Sequence, residues 1–123
     1  MDAAQALAEL REISTEVDVA VVVDEQGAIL GSTHGSPERL ADAAADLLER
    51  AAQVREGAEP VQLEASVAAG SVFVLREGGR TIAAVTGPEP TSGLVFYDLK
   101  TALRSLDPPK RRRAPRKKPA DAP

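Results

Sequence analysis

The sequence predicts an α/β protein of the α+β type, with the order helix–strand–strand–helix–strand–strand–strand–helix. The clearest observation is Ser71–Thr86, in which Gly78-Gly79 separates two apolar runs. A Gly-Gly pair suits a tight hairpin turn because glycine adopts positive φ without steric cost. In addition, three other stretches carry apolar residues at spacings of three and four, as amphipathic helices do. Both faces of the hairpin are apolar, so we expect it in the middle of a sheet with another layer on each face.

The register of this hairpin follows from counting outward from a two-residue turn. The opposed pairs are Glu77 and Arg80, Leu75 and Ile82, Phe73 and Ala84, and Val72 and Val85. Side chains alternate along a strand, which sorts the hairpin into two faces. One face has Ser71, Phe73, Leu75, Ile82, Ala84 and Thr86, and the other has Val72, Val74, Arg76, Thr81, Ala83 and Val85.

The first third of the chain predicts a helix followed by two strands. Residues 3–16 form the helix, whose apolar side is Ala6, Leu7, Leu10, Ile13 and Val17. The continuous apolar run Val19–Asp24 is typical of a central strand. A turn at Glu25-Gln26-Gly27 leads into a short antiparallel strand, Ala28–Ser32, and then a loop over Thr33–Pro37.

A second helix follows, with Ser36 as N-cap and Pro37 at the first helical position. It is expected to end near Arg55, with Gly57 as a stop signal. Its core side is Leu40, Ala44, Leu47, Leu48, Ala51 and Val54. Ala41, Ala45 and Ala52 form a second apolar stripe. Two interpretations stay open: alanine is simply the best helix former, or the stripe is a helix–helix contact across a dimer axis.

The remaining elements are a half-buried strand, the hairpin and a final helix. Val61–Ala68 alternates between apolar and polar residues, and Ala69-Gly70 turns it into the hairpin. Thr91 or Ser92 caps the last helix, and Pro108-Pro109 stops it. The apolar side of that helix is Val95, Leu99, Ala102, Leu103 and Leu106. We therefore predict one domain over residues 1–107 and a disordered basic Pro/Ala-rich tail over residues 108–123.

Charge divides the chain into an acidic body and a basic tail. The 123 residues carry a net charge of −4, but residues 1–109 hold 18 of the 19 acids and a net −10. Residues 110–123 hold a net +6. The tail cations are Lys110, Arg111, Arg112, Arg113, Arg116, Lys117 and Lys118. They are either a solvated appendage or a segment that attracts nucleic acid, an anionic membrane or an acidic partner.

The sequence carries no recognisable catalytic or cofactor-binding motif. The chain has no cysteine, which excludes disulfides and thiolate metal sites, and His34 is its only histidine. Asp24, Glu25 and Asp98 are not at metal-ligand spacing, and no phosphate-binding glycine motif follows a strand into a helix. We therefore expect no enzyme activity, cofactor, metal or small-molecule substrate. The acidic start of the chain and the absence of a long apolar run predict a cytoplasmic protein.

Three stretches together resemble the roadblock/dynein light-chain family. They are VAVVVDEQGAILGS at residues 19–32, GSVFVLREGGR at residues 70–80 and GLVFYDLKTALRSL at residues 93–106. With the element order, the similarity covers roughly residues 3–106. It implies a profilin-like layout, in which an antiparallel five-stranded sheet carries the second helix on one face and the terminal helices on the other.

The resemblance also implies a function. Family members usually dimerise through edge-to-edge third strands and antiparallel second helices, and prokaryotic members commonly regulate Ras-like small GTPases. Others are adaptors in motor or signalling complexes. The implied interface here is Ala41, Ala45, Leu48, Ala52, Val61, Leu63, Ala65 and Val67. The predicted function is thus a non-enzymatic homodimeric regulator or scaffold; the alternative is a module that binds nucleic acid or an anionic surface through its tail.

Overall fold

The computed structural model describes residues 1–108, which form three helices and one five-stranded sheet. The elements are α1 (Ala3–Ile13), β1 (Val17–Val23), β2 (Ile29–Ser32), α2 (Glu38–Val54), β3 (Val61–Val67), β4 (Gly70–Glu77), β5 (Arg80–Thr86) and α3 (Ser92–Arg104). The strand order is β2-β1-β5-β4-β3, and all neighbouring strands are antiparallel. The predicted class and element order are confirmed.

The β4–β5 hairpin lies in the middle of this sheet, as predicted. Gly78 and Gly79 have φ angles of 65° and 79°, the left-handed values that a two-residue hairpin turn needs. The register is the one counted from the sequence, from Glu77 opposite Arg80 to Ser71 opposite Thr86. β1 covers one side of the hairpin and β3 the other, so both of its strands are hydrogen-bonded on two sides.

The two faces of the hairpin belong to two separate hydrophobic cores. Phe73, with Leu75 and Ile82, faces the layer made by α1 and α3. The ring of Phe73 meets that of Phe96 edge-to-face, with centroids 5.0 Å apart. Val74 and Ala83 point the opposite way, and on that face Leu40 and Ala44 of α2 cover them. The predicted layout, with helices on both faces, is therefore confirmed.

The first helix is shorter than predicted. It ends at Ile13, and the hydroxyl of Ser14 accepts 3.3 Å hydrogen bonds from the backbone N–H groups of Glu16 and Val17. Val17 was assigned to the apolar side of this helix, but it is the first residue of β1. Its spacing from Ile13 fits a helix, whereas the Ser14 hydroxyl stabilises a turn that redirects the backbone.

The second helix ends at Val54 with Arg55 as C-cap, as predicted, but its N-cap and the burial of its last residue differ from the prediction. It begins at Glu38, and no side-chain hydrogen bond caps it, so the predicted cap by Ser36 is wrong. Pro37 already has helical backbone angles, with φ −79° and ψ −10°. Val54, assigned to the core side, is 88% exposed because it is the last helical residue and lies beyond the sheet-facing part. Leu40 and Ala44 are buried as predicted.

The third strand is only partly the half-buried strand that was predicted. Val61 and Leu63 are half-buried, but Ala65 and Val67 are exposed, because this end of β3 lies outside the area that α2 covers. The turn into β4 is Ala68-Ala69, and Gly70 is already in β4. All five residues predicted for the core side of the last helix are buried, but Leu106 lies beyond the end of α3 at Arg104. None of the helices within residues 1–108 has an apolar stretch long enough to span a bilayer.

Candidate functional site

The outer edge of β3 is the first part of the candidate site. β3 pairs with β4 through seven consecutive residue pairs without a bulge, from Val61 opposite Arg76 to Val67 opposite Gly70. Within residues 1–108 its other side has no neighbouring strand. Val67 is 74% exposed there. A long, regular and partly apolar edge strand readily pairs with another strand.

The apolar side chains of β3 point to the same face of the sheet as α2. Leu63 lies opposite Val74, which belongs to the α2-side core, and alternation puts the other three on that face too. The four residues are Val61, Leu63, Ala65 and Val67. This face therefore carries all the strand residues of the predicted interface.

The helix residues of the predicted interface form one continuous surface, which we call the α2 stripe and define as Ala41, Ala45, Leu48 and Ala52. Ala41 and Leu48 are half-buried against the α2-side core, while Ala45 and Ala52 are exposed. All four line a single cleft. The structure thus brings the eight predicted interface residues to one face of the sheet; whether a second copy covers them stays a prediction.

This cleft lies between α2 and the end of the sheet where the β1–β2 and β4–β5 turns meet. Its volume is about 380 Å³. The apolar part of its lining is Val23, Ala41, Ala44, Ala45, Leu48 and Ala52. Glu25 is held on its rim above Gly79, so closely that a Cβ on Gly79 would collide with the Glu25 carboxylate. The cleft therefore has a largely apolar lining and is bordered at one end by the β1–β2 and β4–β5 turns.

The rim of the cleft is acidic. Asp24, Glu25, Asp42 and Glu49 line it. The one base in its lining is Arg76, whose Nε donates a 3.0 Å hydrogen bond to Oε2 of Glu59. The cleft residues thus contribute a negative potential that Arg76 does not cancel.

Sequence reasoning missed this rim because its acids come from two distant segments. In the sequence, Asp24 ends the run of the first strand and was considered, with Glu25, only as a metal ligand. In the structure its Oδ1 accepts 2.9 Å hydrogen bonds from the N–H groups of Gln26 and Ala28 and so shapes the turn. One signal was available on α2. Asp42 and Glu49 are seven residues apart, which is two helical turns and the same side of the helix as Ala45 and Ala52.

Glu59 fixes the loop before β3 to the hairpin turn. Besides its bond with Arg76, its Oε1 accepts a 3.2 Å hydrogen bond from the N–H of Gly79. The start of β3 is therefore tied to the body of the sheet at the cleft. The exposed end of β3 is the opposite one, near Val67.

Two carboxyl groups on the α1/α3 side have shifted pKa values. The Arg104 guanidinium donates two 2.8 Å hydrogen bonds to Glu77 and lowers the pKa of that carboxyl. Burial raises the pKa of Asp98, which is 7% exposed, and the nearby Glu16 carboxylate raises it further. Both groups lie away from the cleft and bear on stability.

The residues considered for catalysis are not assembled into a site. The hydroxyl of Ser32 lies 3.2 Å from Nδ1 of His34, but it also donates a 2.7 Å hydrogen bond to the His34 carbonyl and accepts one from the His34 N–H. That pattern is a local turn. Residues 1–108 contain no group of three or more side chains that could hold a metal ion. The expectation that the protein is not an enzyme stays a prediction.

The basic tail residues, 110–118, lie outside the described residues. Their predicted attraction to polyanions, and the predicted disorder of residues 108–123, stay predictions. The chain continues toward them from Asp107, whose position is described. Asp107 is contacted by the amino terminus at Met1 and by the side chain of Arg80.

Comparisons of the sequence with known proteins identify no relative. No protein-family model matches this chain, and no curated protein matches it in sequence. The structure, by contrast, has clear counterparts among solved structures.

Three of these show which fold the chain has. A roadblock/LC7 domain from Streptomyces avermitilis superposes with a TM-score of 0.71 at 20% identity, over 85% of this chain and 94% of that one. The gliding protein MglB from Thermus thermophilus gives 0.61 at 18% identity, over 85% and 84% of the two chains. LokiProfilin2, solved with rabbit actin, gives 0.60 at 11% identity, over 81% and 91%. The chain therefore has the roadblock fold, which confirms the resemblance at the level of structure.

Proposed function

We propose that this chain with a roadblock fold is a non-enzymatic regulatory or scaffold protein that forms a homodimer. In that form it binds a small Ras-like GTPase or another signalling or motility protein. The observation that carries the proposal is the open, regular edge of β3, whose apolar residues share a face with the α2 stripe.

The dimer follows from what an open edge requires. A second copy that pairs its β3 with this β3 would hydrogen-bond the unpaired backbone groups and extend the sheet across a two-fold axis. The apolar side chains of both strands would then share one face, on which the two copies of α2 also lie. Pairing would cover Val67, which is 74% exposed in the single chain.

The partner class comes from the family resemblance. Prokaryotic roadblock proteins commonly regulate Ras-like small GTPases, and MglB-like structures are among those with the same fold. A symmetric dimer would present a composite surface that a single chain lacks. We propose that this surface, rather than a pocket for a small molecule, recognises the partner.

Sedimentation velocity over a range of concentrations tests the dimer. The full chain is expected to sediment as a dimer, whereas Val67→Lys sediments as a monomer because it charges the apolar edge on both copies. The matched control is Ile13→Lys: Ile13 is 57% exposed and ends α1, on the other face of the sheet. A monomeric wild-type chain at high micromolar concentration would contradict the proposal.

Binding to a purified small GTPase from the same cell tests the partner class. The GTPase is loaded with GDP or with a non-hydrolysable GTP analogue, and binding of the wild-type chain and Val67→Lys is measured by interferometry. We expect one nucleotide state to bind more tightly and the variant to bind more weakly. Equal binding by both states would point to a scaffold role, and no binding to either would contradict the GTPase assignment.

A further inference from the structure

The acidic cleft has carboxylates that the described part of the chain leaves without counter-ions. Asp42 and Glu49 are exposed on α2, and neither has a salt-bridge partner within residues 1–108, nor does Glu25. Between them lies an apolar floor that includes Ala45 and Ala52. Such a groove suits a segment with cationic heads on long aliphatic stems, since lysine and arginine stems pack on apolar surface while their charges stay in water.

The described chain ends at the same end of the sheet as this cleft, on the opposite, α1/α3 face. The carbonyl of Asp107 accepts a 2.7 Å hydrogen bond from Nη1 of Arg80, and its N–H donates a 2.9 Å hydrogen bond to the Met1 carbonyl. Its side chain also binds the Met1 ammonium at 2.6 Å. Arg80 directly follows Gly79, which lines the cleft. The chain therefore leaves the body at the end of the sheet where the cleft opens.

The segment that follows has the matching charge and sufficient reach. Residues 110–118 contain seven cations and no acid. Lys110 is three residues beyond Asp107 and Lys118 is eleven, so an extended chain places them within roughly 10 Å and 36 Å of it. A layer of a sheet protein is about 10 Å thick, so these residues can pass around the hairpin turn to the α2 face.

We propose that the basic segment Lys110–Lys118 docks in the acidic cleft of its own chain and covers the α2 stripe. The contact is between exposed charges, so it is sensitive to salt and reversible.

Docking of this kind would regulate association. The α2 stripe is part of the interface proposed for the dimer, so the tail and a second copy would compete for it. This consequence rests on the proposed function, but docking itself does not. The two are measured separately, docking by the position of the tail and dimerisation by sedimentation.

Paramagnetic relaxation in the full chain tests the docking. The chain has no cysteine, so Ala114→Cys provides a single position for a nitroxide label within the basic segment. At low salt we expect the label to broaden the amide signals of Ala45, Glu49 and Ala52 selectively. At about 1 M salt, where the Debye length falls to roughly 3 Å, the broadening should disappear.

Two variants in the labelled chain provide the matched comparison. Asp42→Asn combined with Glu49→Gln removes two rim charges and is expected to abolish most of the broadening. Asp46→Asn is the control: Asp46 is on the same helix but outside the cleft lining, and it pairs with Arg50. It should leave the broadening unchanged.

The outcomes separate the possible occupants of the cleft. Absent broadening, or broadening that survives both high salt and the rim variant, overturns the proposal. In a mixture of nitroxide-labelled ¹⁴N chain and unlabelled ¹⁵N chain, only docking between two copies can broaden the observed signals. Broadening in this mixture as strong as in the sample where label and ¹⁵N are on the same chain would overturn docking within the chain. A third outcome is that the amide signals of the cleft shift with protein concentration but are not broadened by the label on the tail. This would mean that a second copy occupies the cleft, and it would also overturn the proposal.

Discussion

The two edges of the sheet differ in how they are protected. β2 has four residues and a bulge between Val22 and Val23 in its pairing with β1. α1 lies directly on it, since a Cβ on Gly31 would stand 2.9 Å from the Cβ of Ala3. β3 has seven residues, regular pairing with β4 and an exposed apolar end. A short, bulged and covered edge resists pairing, whereas a long, regular and open one favours it.

This difference indicates which edge is the more available for pairing with another strand. Ile29 and Leu30 of β2 are 38% and 45% exposed, so exposed apolar residues alone do not distinguish the edges. What distinguishes them is the length and regularity of the backbone that is free to pair. On this basis β3 is the edge that is open to pairing and β2 the closed one.

The largest effect is expected where α1 closes the β2 edge. Gly31→Leu would force a side chain against Ala3 and the α1 backbone, so we expect it to lower the free energy of unfolding by about 1–3 kcal/mol. Gly35→Ala is the control, because nothing lies within 4 Å of a Cβ at that position. Urea denaturation of both variants measures the difference. Equal stability would mean that α1 does not seal this edge.

A smaller effect is expected on the open side, where Ala45→Glu charges the α2 stripe. Across a two-fold axis two such carboxylates would repel, so we expect the dimer Kd to rise about tenfold or more, equivalent to about 1.4 kcal/mol. Folding should be unaffected because Ala45 is exposed. Ala43→Glu, also exposed but outside the cleft lining, is the matched control. An unchanged Kd for Ala45→Glu would show that the stripe reflects only the helix propensity of alanine.

The smallest effect on stability is expected for Asp98, which is buried on the α1/α3 side of the sheet. Its pKa is raised in the folded state, so the native chain binds this proton more tightly than the unfolded chain does. Stability is therefore lost as pH rises from the ordinary carboxyl range through the raised pKa. Asp98→Asn should be more stable than wild type at pH 7, with the difference shrinking below about pH 3. Thermal unfolding of both chains across this pH range measures the difference, and equal stability of the two at pH 7 would contradict the expectation.

The central hairpin was predictable in full, and the reason is local. The Gly78-Gly79 turn and the period-two alternation around it specify register and faces without reference to other elements. The buried side of α3 was likewise readable, because Val95 and Leu99 lie within one periodic segment. The end of α1 could not be predicted in this way, because Val17 fits both the spacing of a helix and the pattern of a strand.

Only those parts of the candidate site that lie within a single helix or strand were predictable from the sequence. The apolar side of β3 and the α2 stripe each follow from periodicity within a single segment. The acidic rim joins Asp24 and Glu25 from a turn to Asp42 and Glu49 from α2, and only the tertiary packing brings these together. That the chain leaves the body at this same end of the sheet depends on the contacts of Asp107 with Met1 and Arg80, which are distant in sequence.

A cysteine scan of the two edges tests the central claim, that β3 is the interaction edge, most directly. The chain contains no cysteine, so single substitutions at residues 62–66 of β3, and Leu30→Cys on β2 as control, each give one thiol per chain. Antiparallel β3 strands related by a two-fold axis place one residue of the strand opposite itself. The account predicts that one of the five β3 variants oxidises rapidly to a covalent dimer while Leu30→Cys does not. Cross-linking that is equally slow at all five positions and at Leu30 would contradict it.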